Sequence, residues 1–252
     1  MIIPILKKAA PLPKLTKYDR YLFVGPHPDD IEVACGGTVA VLTRLGKQVT
    51  FLIATNGCVG GVDGSLSSSE IVKLRQQEAL QSAKLLGVTD VRFLSHDDGG
   101  DYDQKAMKRD IVEVILQTEP QVVFCPDHNC PSECHPDHLN VGRIVTEAVF
   151  VSGWDKLTSR MGLSGSVGGI NLAYYFTHAP NSYVSVGKTY KLRRKAVACH
   201  TSQFTQSDLA NLNRYFCMRE IRLGAKICRR HAEGYRALSP THQHCFPEVN
   251  RF

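Results

Sequence analysis

The run Gly25-Pro26-His27-Pro28-Asp29-Asp30-Ile31-Glu32 constrains this chain more tightly than any other stretch. Four apolar residues, Tyr21-Leu22-Phe23-Val24, come directly before it. They are aromatic and partly β-branched, which is the signature of a short buried strand. Gly36 to Gly46 follows and reads as a helix closed by a glycine cap. The His-Asp cluster therefore sits on the loop leaving a first strand, and open α/β sheets bind ligands in the crevice at such strand ends. His27 and Asp30 offer the nitrogen and oxygen that first-row metals take. The two prolines stiffen the turn that carries them, and Asp29 is left for another task.

A matching cluster, Ser132-Glu133-Cys134-His135-Pro136-Asp137-His138, lies far downstream. It too follows a strand-like run, Val122-Val123-Phe124-Cys125, and precedes a helix-like run, Leu139 to Val149. Two strand-end loops of this composition can converge on one metal. The simplest ligand set is His27, Asp30 and His138, with a fourth position left for water. Three protein ligands plus water is the catalytic zinc arrangement, whereas structural sites are closed by four. Two histidines and a carboxylate also suit non-haem iron. Zinc, one per chain, is preferred because nothing in the sequence suggests oxygen chemistry.

The two motifs in this order resemble the LmbE-like / PIG-L family of zinc-dependent N-acetylglucosaminyl deacetylases, over roughly Tyr21 to Leu238. In the commonest family form Glu directly follows the second Asp. Here Ile31 intervenes before Glu32. The resemblance implies hydrolysis of an N-acetyl group on an N-acetylglucosamine-containing substrate, giving acetate and a free amine. It favours Asp29 as the general base over a role in orienting His27. His135 is placed to stabilise the oxyanion or protonate the leaving amine, with Asp137 orienting it. Arg75 and Asp98 are the substrate-binding residues that the resemblance implies. Without it, Arg75 would read as a solvated helix residue paired with Glu78. The second motif and Ala232-Glu233-Gly234-Tyr235-Arg236 look most like the branch that includes diacetylchitobiose deacetylases. Members of that branch oligomerise, so a homo-oligomer is expected. His242 and His244 could then reach a neighbouring site, although exposed tail histidines are the plainer reading.

The remaining segments fit an alternating chain. Residues 1–20 read as an irregular arm with three prolines. Val49 to Ala54 is a second strand, and the Gly/Ser-rich stretch Thr55 to Ser69 is a long loop bordering the site. A helix is expected from about Ser69 to Leu86, capped by Ser67 or Ser68. Val91 to Leu94 is a third strand, ending in Ser95-His96-Asp97-Asp98-Gly99. A helix from Gln104 to Thr118 leads to the fourth. Beyond Phe150 the pattern loosens into a variable loop region. Leu172 to Phe176 is another strand, Lys191 to Cys199 a helix, and Asp208 to His231 a long basic helix. Together this alternation and the resemblance predict one domain with an α/β fold, a Rossmann-like three-layer αβα sandwich with a mostly parallel sheet.

With 252 residues and 43% hydrophobic content, the chain can bury a sizeable core. The net charge of +6 comes largely from basic residues interspersed with apolar ones between 191 and 230. No recognisable module accompanies them, so nucleic acid is not an expected partner. Nine cysteines without a Cys-x-x-Cys pair or a signal peptide suggest reduced thiols and a cytoplasmic setting. Cys125, Cys130 and Cys134 are spaced irregularly for a structural zinc site. No run approaches the ~20 apolar residues of a membrane span. Two rivals share the scaffold: a metal hydrolase acting on another N-acyl group, and a sugar-binding protein that keeps metal without activity. A dinucleotide-dependent oxidoreductase is disfavoured, because the turn after the first strand is His-Pro-Asp-Asp and not Gly-x-Gly-x-x-Gly.

Overall fold

The computed structural model describes residues 2–251. Its centre is β1 (Arg20–Gly25), every residue of which after Arg20 is buried. Tyr21 and Phe23 point into one apolar layer and Leu22 and Val24 into the other. A strand buried on both faces reads as a continuous apolar run, which is why β1 shows no polar alternation. It pairs in parallel with β2 (Gln48–Thr55) on one side and with β4 (Val122–Pro126) on the other.

Outward from these lie β3 (Asp90–His96), parallel to β2, and β5 (Asn171–Tyr175), parallel to β4. Two further strands, β6 (Ser182–Ser185) and β7 (Ala232–Leu238), complete a seven-stranded sheet of order β3-β2-β1-β4-β5-β7-β6. β7 runs antiparallel to both of its neighbours. The strand order reverses between β1 and β4, and the crevice outside their carboxyl ends is where this architecture places a ligand.

Helices cover both faces. On one side pack α2 (Asp30–Arg44), α3 (Ser68–Leu86) and α7 (Tyr190–Val197). On the other pack α4 (Gln104–Thr118) and α5 (Pro136–Ser152). This is the expected three-layer αβα sandwich. The remaining helices are α1 (Ile2–Ala9), α6 (Asp155–Arg160) and α8 (Gln206–Ala225).

Several expectations need correction. The supposed irregular arm contains the helix α1. The first helix after β1 starts at Asp30, six residues before Gly36, because the His27–Asp30 loop runs directly into its first turn. Gly36 and Gly37 lie inside α2 because other elements crowd against them. A Cβ on Gly37 would stand 2.6 Å from Glu233 Oε1 and 2.9 Å from Val186 Cβ. The long basic helix ends at Ala225 and not at His231, and the Ala232–Leu238 segment is the strand β7. The variable region after Phe150 holds α6 as well as loop. His242 is buried, its Nε2 3.1 Å from the Ala10 carbonyl oxygen, so only His244 is an exposed tail histidine.

Candidate active site

Both loops with the His-Pro-Asp signature leave the carboxyl ends of β1 and β4 at the strand-order reversal. Asp29 is the N-cap of α2, yet its carboxylate makes no capping hydrogen bond. It accepts instead from Arg75 Nη2 at 3.2 Å. Asp30, in the first turn, accepts from the His27 backbone N–H at 2.9 Å, which closes the turn on itself. On the second loop His135 is the N-cap of α5, with Pro136 at the first helical position, where a missing N–H costs nothing. The sequence reading started this helix at Leu139. The true start places Asp137 and His138 in its first turn, facing the first loop.

His27, Asp30 and His138 converge so that one ligand atom from each lies within 4.8 Å of the others. His27 Nδ1 is 3.1 Å from Asp30 Oδ2, and His138 Nε2 is 3.3 Å from Asp30 Oδ1. The outward nitrogen of each imidazole is held by a carboxylate. Asp137 Oδ2 stands 3.0 Å from His27 Nε2, and Glu133 Oε2 stands 2.9 Å from His138 Nδ1. Metal-binding histidines are oriented in this way, with the second nitrogen donating to a carboxylate. Burial opposes protonation of His27, but hydrogen bonds to Asp137 and Asp30 outweigh it and push its pKa up to about 10. His138 is likewise pushed up to about 9, where Asp30 and Glu133 overcome burial. The cluster thus favours positive charge at its centre, and a divalent cation meets that requirement in place of the protons.

Asp137 meets His27 at hydrogen-bond distance, while His135 Nδ1 is 3.8 Å away from it. It also accepts from the Gly99 backbone N–H at 2.8 Å, which ties the loop after β3 to the site. His135 stands edge-on to His27 with ring centroids 4.7 Å apart, and its side chain keeps 46% of its surface open. Burial, then the positive charges of His27 and His138, hold its pKa below the usual imidazole value. Burial and the neighbouring Asp30 raise that of Asp29, with Arg75 acting against them.

Arg75 is 2% exposed, so the solvated-face alternative fails. Its guanidinium bridges Asp29 and the Gly57 carbonyl oxygen, 3.0 Å away. Gly57 has φ +69, and a Cβ there would stand 2.5 Å from Arg75 Nη1, so the loop passes over the guanidinium only as glycine. Glu78 does not pair with Arg75. Its carboxylate accepts from Thr201 Oγ1 at 2.8 Å, from the Ser202 N–H at 2.8 Å and from Ser202 Oγ at 2.6 Å. That staple sets Gln203 into the site wall. Asp98 accepts from the Val59 N–H at 3.0 Å and lines the same small cavity, about 240 Å³, as Asp29, Arg75 and His135.

Three contributors were not singled out in the sequence. Glu133 lay inside the second motif, five residues before His138, a spacing with no reading until a turn folds it back. Phe176 stacks its ring on His138, with centroids 5.8 Å apart and planes inclined by 10°. Its φ of 52 is rare for a bulky residue, and such strain concentrates at functional sites. Asp127, at the end of β4, is buried and holds Arg236 of β7 through contacts of 2.9 and 3.1 Å. Among the described residues, none of the three-residue clusters able to hold a metal includes a cysteine.

A Rossmann-like sheet with a candidate metal cluster at its switch point defines a class of α/β proteins able to hold a metal at the strand ends. Within that class the chain belongs to the PIG-L family. The family described as GlcNAc-PI de-N-acetylase matches residues 22–149. A diacetylchitobiose deacetylase from Thermococcus kodakarensis is 31% identical over 90% of this chain and 86% of its own. A probable N-acetyl-α-D-glucosaminyl L-malate deacetylase from Bacillus cereus is 34% identical over 51% of this chain and 60% of its own. The structure of N,N'-diacetylchitobiose deacetylase from Pyrococcus horikoshii superposes with a TM-score of 0.88 at 28% identity, covering 100% of this chain and 98% of that one.

Proposed function

We propose that this protein removes the N-acetyl group from an N-acetylglucosamine-containing substrate, giving acetate and a free amine. The observation that carries this reading is the convergence of His27, Asp30 and His138 beside an Asp29 that caps nothing. A zinc ion, one per chain, fits the donor set of two imidazoles and a carboxylate. When bound, it supplies Lewis acidity and lowers the pKa of a bound water to about 7.

The chain's own residues do the rest. Asp29 takes a proton from the attacking water, and its raised pKa makes it the stronger base. Arg75 acts by positioning Asp29, holding one carboxylate oxygen while the loop above shuts out solvent. His135 stands on the opposite rim, open enough to touch substrate. It stabilises the developing oxyanion or delivers a proton to the leaving nitrogen. Asp98 and the loop that it ties down supply hydrogen-bonding groups for the sugar hydroxyls. A homo-oligomer of single-domain chains working in the cytoplasm completes the reading. No helix among the described residues is long and apolar enough to cross a membrane.

The test is metal content of the purified protein coupled to acetate release from a panel of N-acetylglucosamine compounds. About one zinc per chain with chelator-sensitive acetate release is the expected result. Stoichiometric zinc with no acetate from any sugar would move the function to another acyl group or to binding alone.

A further inference from the structure

The metal cluster has a second cavity beside it. His138 and Glu133 form its inner wall, and Phe176 stands on the His138 ring as a partition. The cavity is about 620 Å³, against about 240 Å³ for the lobe beside Asp29. Small-molecule sites usually run from about 300 to 1,000 Å³, so the smaller lobe alone falls short of a complete site. The two lobes border the cluster from different sides, His138 and Glu133 in the larger and His27, Asp30 and His135 in the smaller, and a substrate larger than one sugar would extend from one toward the other.

The outer wall of the larger lobe is one face of α8. Tyr215, Phe216, Arg219 and Arg222 lie on it. Tyr215 is 57% exposed, an aromatic surface on which a ring or chain can lie. Arg219 is half-buried and Arg222 exposed, and neither has a hydrogen-bond or ion-pair partner among the described residues. Nearby Glu220 attracts Arg219 electrostatically but forms no ion pair with it. Its ion-pair contacts are elsewhere, with Oε1 3.1 Å from Arg193 Nε and Oε2 3.6 Å from His231 Nδ1. The one carboxylate in the lobe, Glu133, is already engaged by His138. The lobe that His138 borders therefore carries two guanidinium groups that no carboxylate of the lobe pairs with. Guanidinium forks recognise carboxylate and phosphate by paired hydrogen bonds.

We propose that this lobe binds an anionic group carried by the substrate, a carboxylate or phosphate attached to the N-acetylated sugar, with Arg219 and Arg222 as specificity-determining residues. The proposal rests on the deacetylase reading only for what reacts in the smaller lobe. Recognition of the anion follows from the lobe itself.

The test uses the zinc-loaded protein and four probes. Two are anionic, N-acetylglucosaminyl L-malate and N-acetylglucosamine 1-phosphate. Two are neutral, diacetylchitobiose and methyl N-acetylglucosaminide. Acetate release and calorimetric binding are both read. At least one anionic probe is expected to exceed both neutral ones by about tenfold or more in kcat/KM, through KM, and to lose that lead as salt is raised. Which of the two leads distinguishes carboxylate from phosphate. In the double variant Arg219→Gln/Arg222→Gln the ratio of anionic to neutral should fall to near one. Arg222→Gln alone, at an exposed position, should give part of that fall if the double variant folds poorly. Equal use of neutral and anionic probes, or a preference that survives both substitutions, overturns the proposal and leaves the deacetylase reading standing. Arginine-dependent binding of an anionic probe without acetate release from any compound supports the lobe and removes the deacetylase reading. Absence of both binding and release overturns the two together.

Discussion

Asp29 and Arg75, 46 positions apart in sequence, are joined by an ion pair of 3.2 Å with side-chain exposures of 13% and 3%. The pair turns an N-cap aspartate, ordinarily spent on its own helix, into a group aimed at the reaction. Arg75→Ala should lower kcat by about 10² or more while leaving zinc content intact, since orientation and charge at a general base carry effects of that order. Arg75 also lowers the Asp29 pKa, so its loss raises that pKa further. The acid limb of the pH–rate profile should then move to higher pH, because Asp29 must be ionised to act. A profile that keeps its acid limb would separate the two residues.

Asp29→Asn should reduce turnover by about 10² to 10⁴ with metal still bound. Metal analysis alongside the rate is the check. Zinc lost together with activity would make Asp29 a structural residue of the cluster.

The carboxylates behind the imidazoles carry their own prediction. His138→Ala should abolish stoichiometric zinc binding. Glu133→Gln should weaken it by about 10- to 100-fold, the usual cost of losing a partner behind a ligand. Competition with a chromogenic chelator measures both. A His138→Ala protein that retains full zinc would refute the ligand set.

Buried Asp127 and half-buried Arg236 pair to join β4 to β7, with Arg236 also lying 4.3 Å over the Tyr174 ring. Burial alone would raise the Asp127 pKa, but hydrogen bonds from Arg236 and Thr177 hold it below its ordinary 3.8. A folded value below the unfolded one stabilises the protein above the unfolded pKa, and the contribution is lost as pH falls through the folded pKa. Asp127→Asn should therefore cost about 3 kcal/mol near neutral pH, the low end for breaking a buried pair, because it leaves a half-buried guanidinium unpaired. The gap from the wild type should narrow as the pH drops below about 4. Urea unfolding at both pH values reads this out.

Gly37→Ala tests the close approach inside α2. Glu233 accepts from the backbone N–H groups of Gly37 and Thr38 at 2.9 and 2.8 Å, which leaves no room for a methyl group. Overpacking of this kind costs about 1 to 3 kcal/mol, whereas helix propensity alone would favour alanine by up to about 1. A net loss in Tm is expected. A gain would show that Glu233 and Val186 yield freely.

Much of the sheet was legible because its central strands are buried on both faces. Tyr21 to Val24 and Val122 to Cys125 are unbroken apolar runs, and Val49 to Ala54 is interrupted only by Thr50, whose hydroxyl bonds Asp90. The helix Gln104–Thr118 matches its expected bounds, and Asp103 fixes its start by accepting from the Lys105 and Ala106 N–H groups. β6 and β7 were not. Ala232 to Leu238 mixes Glu, Gly and Arg with apolar residues, and each polar member is satisfied by something remote. Glu233 bonds to α2, Tyr235 Oη reaches Thr38 Oγ1 at 2.7 Å, and Arg236 pairs with Asp127. A local window cannot see partners more than a hundred residues away.

The division at the site follows the same logic. Ligand chemistry is a property of residue types at short spacing, so the sequence alone determined that two strand-end loops carry imidazoles and carboxylates suited to one metal. Relations across the fold are a property of packing. Only the tertiary structure decided that Arg75 turns inward onto Asp29, that Asp137 serves His27 more closely than His135, and that α8 puts Arg219 and Arg222 on the wall of a cavity that His138 also lines. Side chains on different elements meet only after the sheet has fixed the distance between them.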